Sequence, residues 1–466
     1  MRETSSNEPT YIKFPFWQKI LISMGDFGGT LTWGFLSAFA MIFYSDVFGI
    51  SMASISFIML FSRIVDAVVD PVIGVLTDHT RSRWGRYRPW VLGAIPLMVI
   101  TFTLMFWAHP DWEQNQKLAY ALVTYSLYVT AYSSMYIPFI SLIPTLTQDP
   151  EERSSITGVR LAMGMVSITI VSYVVPPLLV ALGKGDQVKG YVLAALVMAL
   201  IGAPLTMLVF FNTKEVVKPP ETQVKLGLRE SLRAIKGNKP MFYAMFGQMC
   251  YYILAVGRSS VYMYYFTYSV DMVVLYGTFS MATRLMGAVG SATSGWWLKR
   301  IPNKGRVVAL GYLIFGTTLV AQSFTDPINS PLLFWLLTVG GNYFCGLAYG
   351  QTFAIVPDSV EYGEWKSGVR VEGTISSLIS LCNNCGQALG SFIVASIMGA
   401  LGYVANQAQT PLVLAGINAI MFGGAGIMCI VMSLVFLTYS FSNERFVKIV
   451  NILKERREMT STTAEN

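Results

Sequence analysis

Charge is scarce in this sequence. Only 13% of its 466 residues are Asp, Glu, Lys or Arg, about half the share of an ordinary soluble domain. With 53% hydrophobic residues and a mean hydropathy of +0.52, the composition excludes a disordered chain. Histidine is rarer still: His79 and His109 are the only two, both at loop edges. The five cysteines (Cys250, Cys345, Cys382, Cys385 and Cys429) all fall inside apolar runs, so no exposed disulfide framework is available. No zinc spacing and no Ser/His/Asp order can be assembled from this inventory, so hydrolytic chemistry is not expected and the chain is not expected to be an enzyme. Residues 1–16 are polar, mixed in charge and without a cleavage pattern, and no signal peptide is expected.

What the chain has instead is apolar length. Twelve runs, near 18–45, 52–77, 90–109, 117–146, 155–182, 190–212, 240–269, 272–298, 306–325, 331–357, 373–402 and 410–440, are each long enough to cross a bilayer, which takes about 20 residues as a helix. Only helices can cross in separate runs, because in lipid every backbone polar group must be satisfied within its own segment. The expected fold is an all-α membrane protein of twelve transmembrane helices. A soluble domain on a single anchor is excluded. The runs divide six and six, giving an N-terminal bundle at 1–213, a cytoplasmic central loop at 214–239, a C-terminal bundle at 240–441 and a cytoplasmic tail at 442–466. Within the central loop Leu226–Ile235 is amphipathic and is expected along the membrane surface, as is the tail segment Lys454-Glu-Arg-Arg-Glu.

The basic residues set the orientation. Of 33 Lys and Arg, 27 fall on one side of the expected membrane, three (Lys117, Lys184, Lys189) on the other, and Arg63, Arg258 and Arg284 within spans. Positive loops mark the cytoplasmic face, so both termini are expected inside a plasma (inner) membrane. This asymmetry absorbs most of the +7 net charge and leaves no reason to invoke nucleic acid. The halves also echo each other. Gly74-Val-Leu-Thr-Asp78 and Arg81-Ser-Arg-Trp-Gly-Arg-Tyr-Arg88 follow span two, and Gly295-Trp-Trp-Leu-Lys299-Arg300 with Lys304-Gly-Arg306 follows span eight. Two related six-helix bundles of this kind put a substrate site near the midplane between them and work by rocking. The basic loops serve as topology markers, as gates, or as both.

Ionisable groups inside a span are expensive and usually functional. Span two carries Arg63, Asp66 and Asp70, whose offsets of three and seven place them on one helical face. Two carboxylates one turn apart make a cation site or a proton-accepting pair, and one arginine cannot neutralise both. Asp26 stands alone among small residues in span one, where it either binds a ligand hydroxyl or pairs with an arginine. Span four carries a stripe, Tyr125, Tyr128, Tyr132 and Tyr136, running into a break at Ile137-Pro138-Phe139. Ring faces with hydroxyl edges suit sugars, and they suit helix packing equally. Asn383, Asn384 and Gln387 in span eleven either glue helices or line a polar cavity. Cys382-x-x-Cys385 has a redox spacing but sits in a span, where small packing residues are expected. Arg160 opens span five. Four intramembrane arginines against three aspartates would favour an anionic ligand, unless Asp358 or Glu361 at the end of span ten settles the balance.

Arg63-Ile-Val-Asp66-Ala-Val-Val-Asp70-Pro71, followed by Arg81-Ser-Arg-Trp-Gly-Arg-Tyr-Arg-Pro89-Trp, resembles the glycoside–pentoside–hexuronide cation symporters of the major facilitator superfamily, the melibiose permease-like transporters. So does Asp358-Ser-Val-Glu-Tyr-Gly-Glu364, continuing to Arg370-Val-Glu372, in the span ten to eleven loop. The likeness runs from the first span to the twelfth. It implies two pseudo-symmetric six-helix bundles and sugar uptake driven by H⁺ or Na⁺ through alternating access, without any other cofactor. It implies a cation site at Asp66 and Asp70 with Ser133, and a sugar site at Asp26, Trp33, Tyr132, Arg160 and Tyr349. It assigns gating to the cytoplasmic loops, with Arg81, Arg83, Arg86, Arg88, Asp358, Glu361, Glu364 and Arg370. Three positions depart from the melibiose permease pattern. Val69 stands where an Asn precedes the second acid, removing an oxygen ligand and favouring H⁺ over Na⁺. Tyr136 and Asn384 stand where an acid and a lysine are found, which keeps the charge balanced while changing the specificity. The partners implied are a small sugar or glycoside and the lipid bilayer, for a chain expected to act as a monomer. A neutral glycoside is the first expectation. An acidic sugar (a hexuronide or sulfosugar), an uncoupled facilitator and a receptor without flux are the alternatives.

Overall fold

Apolar runs bounded by polar caps fold here as long helices. The computed structural model describes residues 12–147, 149–216, 236–368 and 372–439, with 441, 446, 448, 449, 451–453 and 455 of the tail. Leu226–Ile235, Arg370 and most of Lys454-Glu-Arg-Arg-Glu lie outside the described residues. The chain divides into two units, Met1–Gln223 and Val224–Asn466. The first contains α1 (Phe16–Ile42), α2 (Met52–His79), α3 (Arg88–Met105), α4 (Gln114–Leu146), α5 (Pro150–Gly183) and α6 (Gln187–Asn212). The second contains α7 (Lys239–Tyr264), α8 (Val274–Ala292, followed by the short helix Ser294–Arg300), α9 (Lys304–Gln322), α10 (Pro331–Ser367), α11 (Glu372–Ala400) and α12 (Pro411–Asn418 and Gly424–Leu437, joined by a π-helical turn at Ala419–Gly423). Among the described residues the only β pairing is an isolated bridge between Ser82 and Gly85.

Ten of these helices are long and apolar enough to cross a membrane. The other two, α7 and α8, are 26 and 19 residues long and carry Arg258 and Arg284. Chain entry into helices is set by side-chain caps. Ser51, Asp186, Asn238, Asn303 and Thr410 each accept a hydrogen bond from a first-turn amide, and Glu113 forms a capping box with Gln116. Large apolar side chains on the outer faces, such as Val180 and Val274, are more than three-quarters exposed. That is the expected solvent relation for helices bathed in lipid rather than water.

Helix partnerships in the first unit recur in the second with labels shifted by six. The pairs α1–α5, α2–α4, α3–α4 and α3–α6 have counterparts α7–α11, α8–α10, α9–α10 and α9–α12. Several of these crossings rest on paired glycines (Gly257 against Gly390, Gly287 against Gly346, Gly316 against Gly426), which let backbones touch. The sharpest echo is at the ends of α1 and α7. Each closes in a π-helical turn, Phe43–Val47 and Tyr265–Ser269. Phe48 N bonds Phe43 O and Ile50 N bonds Tyr44 O, while Val270 N bonds Tyr265 O and Met272 N bonds Phe266 O. The left-handed residue that ends each turn is Gly49 in one and Asp271 in the other.

Candidate functional site

In the N-terminal unit, α1, α2, α4 and α5 bring the candidate residues into one chain of contacts. Arg63 Nη1 reaches Asp66 Oδ2 at 3.2 Å, and Asp70 Oδ1 accepts a 2.7 Å hydrogen bond from Ser133 Oγ on α4. Asp66 and Asp70, one turn apart on α2, repel each other electrostatically. Arg63 also lies over the Trp33 ring, 5.4 Å from its centroid. Trp33 stacks on Tyr132 (4.9 Å) and Tyr132 on Tyr136 (5.3 Å). The Tyr136 hydroxyl hydrogen-bonds the Asp26 carboxylate. Asp26 Oδ2 in turn sits 3.0 Å from Arg160 Nε, both residues buried. This ion pair lacks hydrogen-bond alignment, and Arg160 Nη1 is buried without a partner among the described residues. A buried guanidinium N–H left open costs free energy unless a ligand oxygen or water meets it.

The contacts bear on two of the open alternatives. Asp26 pairs with an arginine, and its partner is Arg160. The tyrosine stripe divides: Tyr125 and Tyr128 are buried, with Tyr128 donating to Thr32 Oγ1 at 3.0 Å, whereas Tyr132 and Tyr136 are half-buried and form the stacked shelf with Trp33. Two local expectations need correction. Helix α4 is not broken at Pro138 but runs through Pro138 and Pro144 to Leu146. Arg160 does not open α5, because the helix begins at Pro150 and Arg160 lies three turns inside it.

The basic loop after α2 is tied to the end of α6. Glu215 accepts from the backbone amides of Arg86 (2.8 Å), Tyr87 (2.8 Å) and Arg88 (3.2 Å), a nest of consecutive N–H groups around one carboxylate. Gly85, at φ +107°, makes the turn possible, and a Cβ there would collide with that carboxylate. Arg88 caps α6 by donating to Phe210 O, Arg83 stacks on Trp84 (4.8 Å), and Arg81 is exposed. Glu215 escaped sequence reasoning, since nothing in its local spacing points to a loop 129 residues away.

In the C-terminal unit Tyr349 stacks on Tyr251 at 4.0 Å, and Asn384 is half-buried without a hydrogen-bond partner among the described residues. Asp358, Glu361 and Glu364, expected in the span ten to eleven loop, lie instead on a helix. Helix α10 continues past Pro357 to Ser367, where Gly368 in the left-handed region stops it. Asp358 is buried and bound to Lys304 Nζ at 2.6 Å, so it does not balance the intramembrane arginines. Cys382 and Cys385 are free thiols on α11, half-buried and exposed respectively.

Comparison with known proteins bears on the family and the fold. A family model described as MFS/sugar transport protein matches residues 21–443. An isoprimeverose transporter from Lactiplantibacillus pentosus is 33% identical over 85% of this chain and 82% of its own length. A glucuronide carrier protein homolog from Escherichia coli (strain K12) is 29% identical over 95% of this chain and 96% of its own. Among solved structures, a bacterial homolog of the human lysosomal transporter Spinster superposes with a TM-score of 0.67 over 94% of this chain and 97% of its own, at 12% identity. A nucleoside transporter, NupG, gives 0.65 over 91% and 100%, at 13% identity. At such identities the structural likeness speaks for the fold.

Proposed function

The chain belongs to the MFS/sugar transport protein family, as a multi-pass membrane protein of the glycoside–pentoside–hexuronide cation-symporter type, and on that premise we propose that it couples movement of a sugar or glycoside to that of a cation by alternating access. Asp66 and Asp70, with Ser133, take the cation. The Trp33–Tyr132–Tyr136 shelf packs the sugar ring, and Asp26 and Arg160 bind its hydroxyls. Tyr349 and Asn384 are the proposed substrate contacts of the C-terminal unit. Arg81, Arg83, Arg86 and Arg88, with Asp358, Glu361, Glu364 and Arg370, act at the cytoplasmic gate. The observation that carries the reading is the double engagement of Arg63, which pairs with Asp66 at 3.2 Å and covers the Trp33 ring at 5.4 Å. Neutralising the carboxylate loosens the hold on Arg63, and Arg63 borders the sugar shelf, so one side chain links cation and sugar occupancy. H⁺ is the favoured ion, because a hard metal cation needs several oxygens and Val69 adds none beside Asp70. The protein works in a plasma-type inner membrane with both termini cytoplasmic, as a monomer.

The test is uptake and exchange in vesicles. Asp66→Asn and Asp70→Asn are expected to abolish concentrative uptake while leaving sugar exchange partly intact. Full accumulation by both variants would overturn the assignment of the cation site, and equilibration indifferent to ionophores in the wild type would mark a facilitator.

A further inference from the structure

The internal repeat breaks down at one helix pair. In the N-terminal unit α5 packs along α6, and α1 and α6 touch backbone to backbone at Gly28 and Gly202. The matching helices of the C-terminal unit, α11 and α12, meet chiefly at the segment Pro411–Asn418. Between them a groove of about 500 Å³ lies over α7, within the size range of small-molecule sites. Ile393 and Ile397 of α11 form one wall, Ala419 and Ile420 of α12 the other, and Gly257 and Arg258 of α7 the floor. Ile393 and Ile397 are also exposed, so the groove opens on the apolar outer face of the unit. Its lining runs from Gly390 to Leu401 on α11 and from Gly416 to Met428 on α12. That is about 16–18 Å of helix, close to one leaflet of a hydrocarbon core roughly 30 Å thick.

Arg258 is the one polar side chain in this lining. It is only 6% exposed. Its Nε donates to Met421 O at 2.8 Å, and the guanidinium lies over the rings of Tyr262 (5.6 Å) and Phe315 (5.3 Å). Nη2 is buried without a hydrogen-bond partner, and among the described residues Arg258 forms no ion pair. An unmet buried N–H and an uncancelled buried charge are both costly, so an otherwise apolar groove holds one strong attraction for an anion. Depth selects which anion. Met421, to which Arg258 is bound, lies about 15 Å along α12 from Pro411. The phosphate of a phospholipid stays with the headgroups outside the hydrocarbon core, and a permanent charge is expensive to bring to such depth. A carboxylic acid moves through lipid uncharged. Its O–H breaks at the site, the proton passes to water at the groove mouth, and the guanidinium, which accepts no proton, meets the carboxylate with its planar fork. We propose that this groove binds a free long-chain fatty acid, with its carboxylate on Arg258 and its alkyl chain between α11 and α12. The inference does not depend on the identity of the transported substrate or of the coupling ion.

The experiment uses the purified full chain in detergent, with bound copies counted by native mass spectrometry and affinity read by thermal stabilisation. The probes are oleic acid, its neutral methyl ester and dioleoyl phosphatidylglycerol. The wild type is expected to take up one oleate saturably and to prefer it to methyl oleate at least tenfold. Arg258→Gln is expected to abolish that preference while leaving the ester within about twofold of its wild-type affinity. A purely structural role for Arg258 would not move the acid-to-ester ratio. Ala419→Phe narrows the groove without altering Arg258, and is expected to weaken acid and ester alike, at least fivefold. Equal affinity for acid and ester in the wild type, an unchanged ratio in well-folded Arg258→Gln, or undiminished binding in Ala419→Phe would overturn the proposal. So would displacement of oleate by an equal concentration of dioleoyl phosphatidylglycerol, which would make the occupant a phospholipid. Should Arg258→Gln fail to run as a monodisperse species, the wild-type ratio and Ala419→Phe still decide.

Discussion

Asp26 and Arg160 come from α1 and α5 and meet at 3.0 Å with both side chains out of water. In such a place the mutual attraction offsets two desolvation penalties, so each group is tolerable only because the other is there. Asp26→Asn should therefore destabilise the protein by about 3–5 kcal/mol, and Arg160→Gln by a similar amount, because each leaves one buried charge unmet. The double variant Asp26→Asn/Arg160→Gln should recover part of that loss, with a coupling of about 1–3 kcal/mol, yet bind substrate no better than either single variant. Melting of the four proteins in detergent gives the coupling, and strictly additive losses would show that the two charges do not depend on each other. The sequence marked Asp26, Asp66, Asp70, Arg63, Arg160 and the Tyr132–Tyr136 pair, because a charge or a ring stripe stands out against an apolar span. Periodicity along one helix contains no information about which neighbour it faces, so Ser133 was placed with Asp70 only through the family resemblance. Trp33 with Arg63 and Tyr251 with Tyr349, meetings between helices, were not marked at all.

Helix ends were legible to within a few residues wherever a cap residue or a loop glycine stands. They were less so where a helix outruns the membrane. Helix α10 extends to Ser367 because its last turns are paid no penalty by lipid: their polar side chains find partners such as Lys304, and Gly368 supplies the stop. The π-helical turns at Phe43–Val47 and Tyr265–Ser269 were invisible for another reason, since one extra backbone residue per turn leaves the hydropathy pattern unchanged. The loop between α2 and α3 is the element whose conformation depends most on one remote side chain. Three amides converge on Glu215, and charge-assisted bonds of this kind contribute about 1.5–3 kcal/mol each at most. Glu215→Ala should release the loop into local opening without unfolding the unit. Trypsin, which cuts after Arg81, Arg83 and Arg86, should then cleave there severalfold faster in inside-out vesicles, with little change in the melting temperature of the protein as a whole. Glu215→Gln, which keeps one acceptor oxygen, should fall between the two. An unchanged cleavage rate in Glu215→Ala would show that the loop is held by other contacts.

At the scale of the whole molecule the repeat is the organising fact. The same helix partnerships occur in both units, and so do the matching turns that end α1 and α7. Two units built alike can differ only in side chains, and they differ most in charge: carboxylates collect inside the first, while the second keeps Arg258 and Arg284. That division needs a defined orientation to drive directed transport. With most of the 33 basic residues expected in loops of one side, and each costing free energy to translocate against the positive-inside bias, the loop at 80–87 is expected to be cytoplasmic and the loop at 184–186 external. Replacing the five native cysteines and introducing a single one at Ser82 or at Asp186 tests this directly. A membrane-impermeant maleimide added to intact cells should label Asp186→Cys and leave Ser82→Cys unlabelled until the cells are permeabilised. The reverse pattern would place the Arg81–Arg88 loop outside, and with it the proposed cytoplasmic gate. Labelling of Ser82→Cys on intact cells at a rate raised by substrate would be equally damaging, because a loop on the inner face has no route to the reagent in any conformation of an alternating-access cycle.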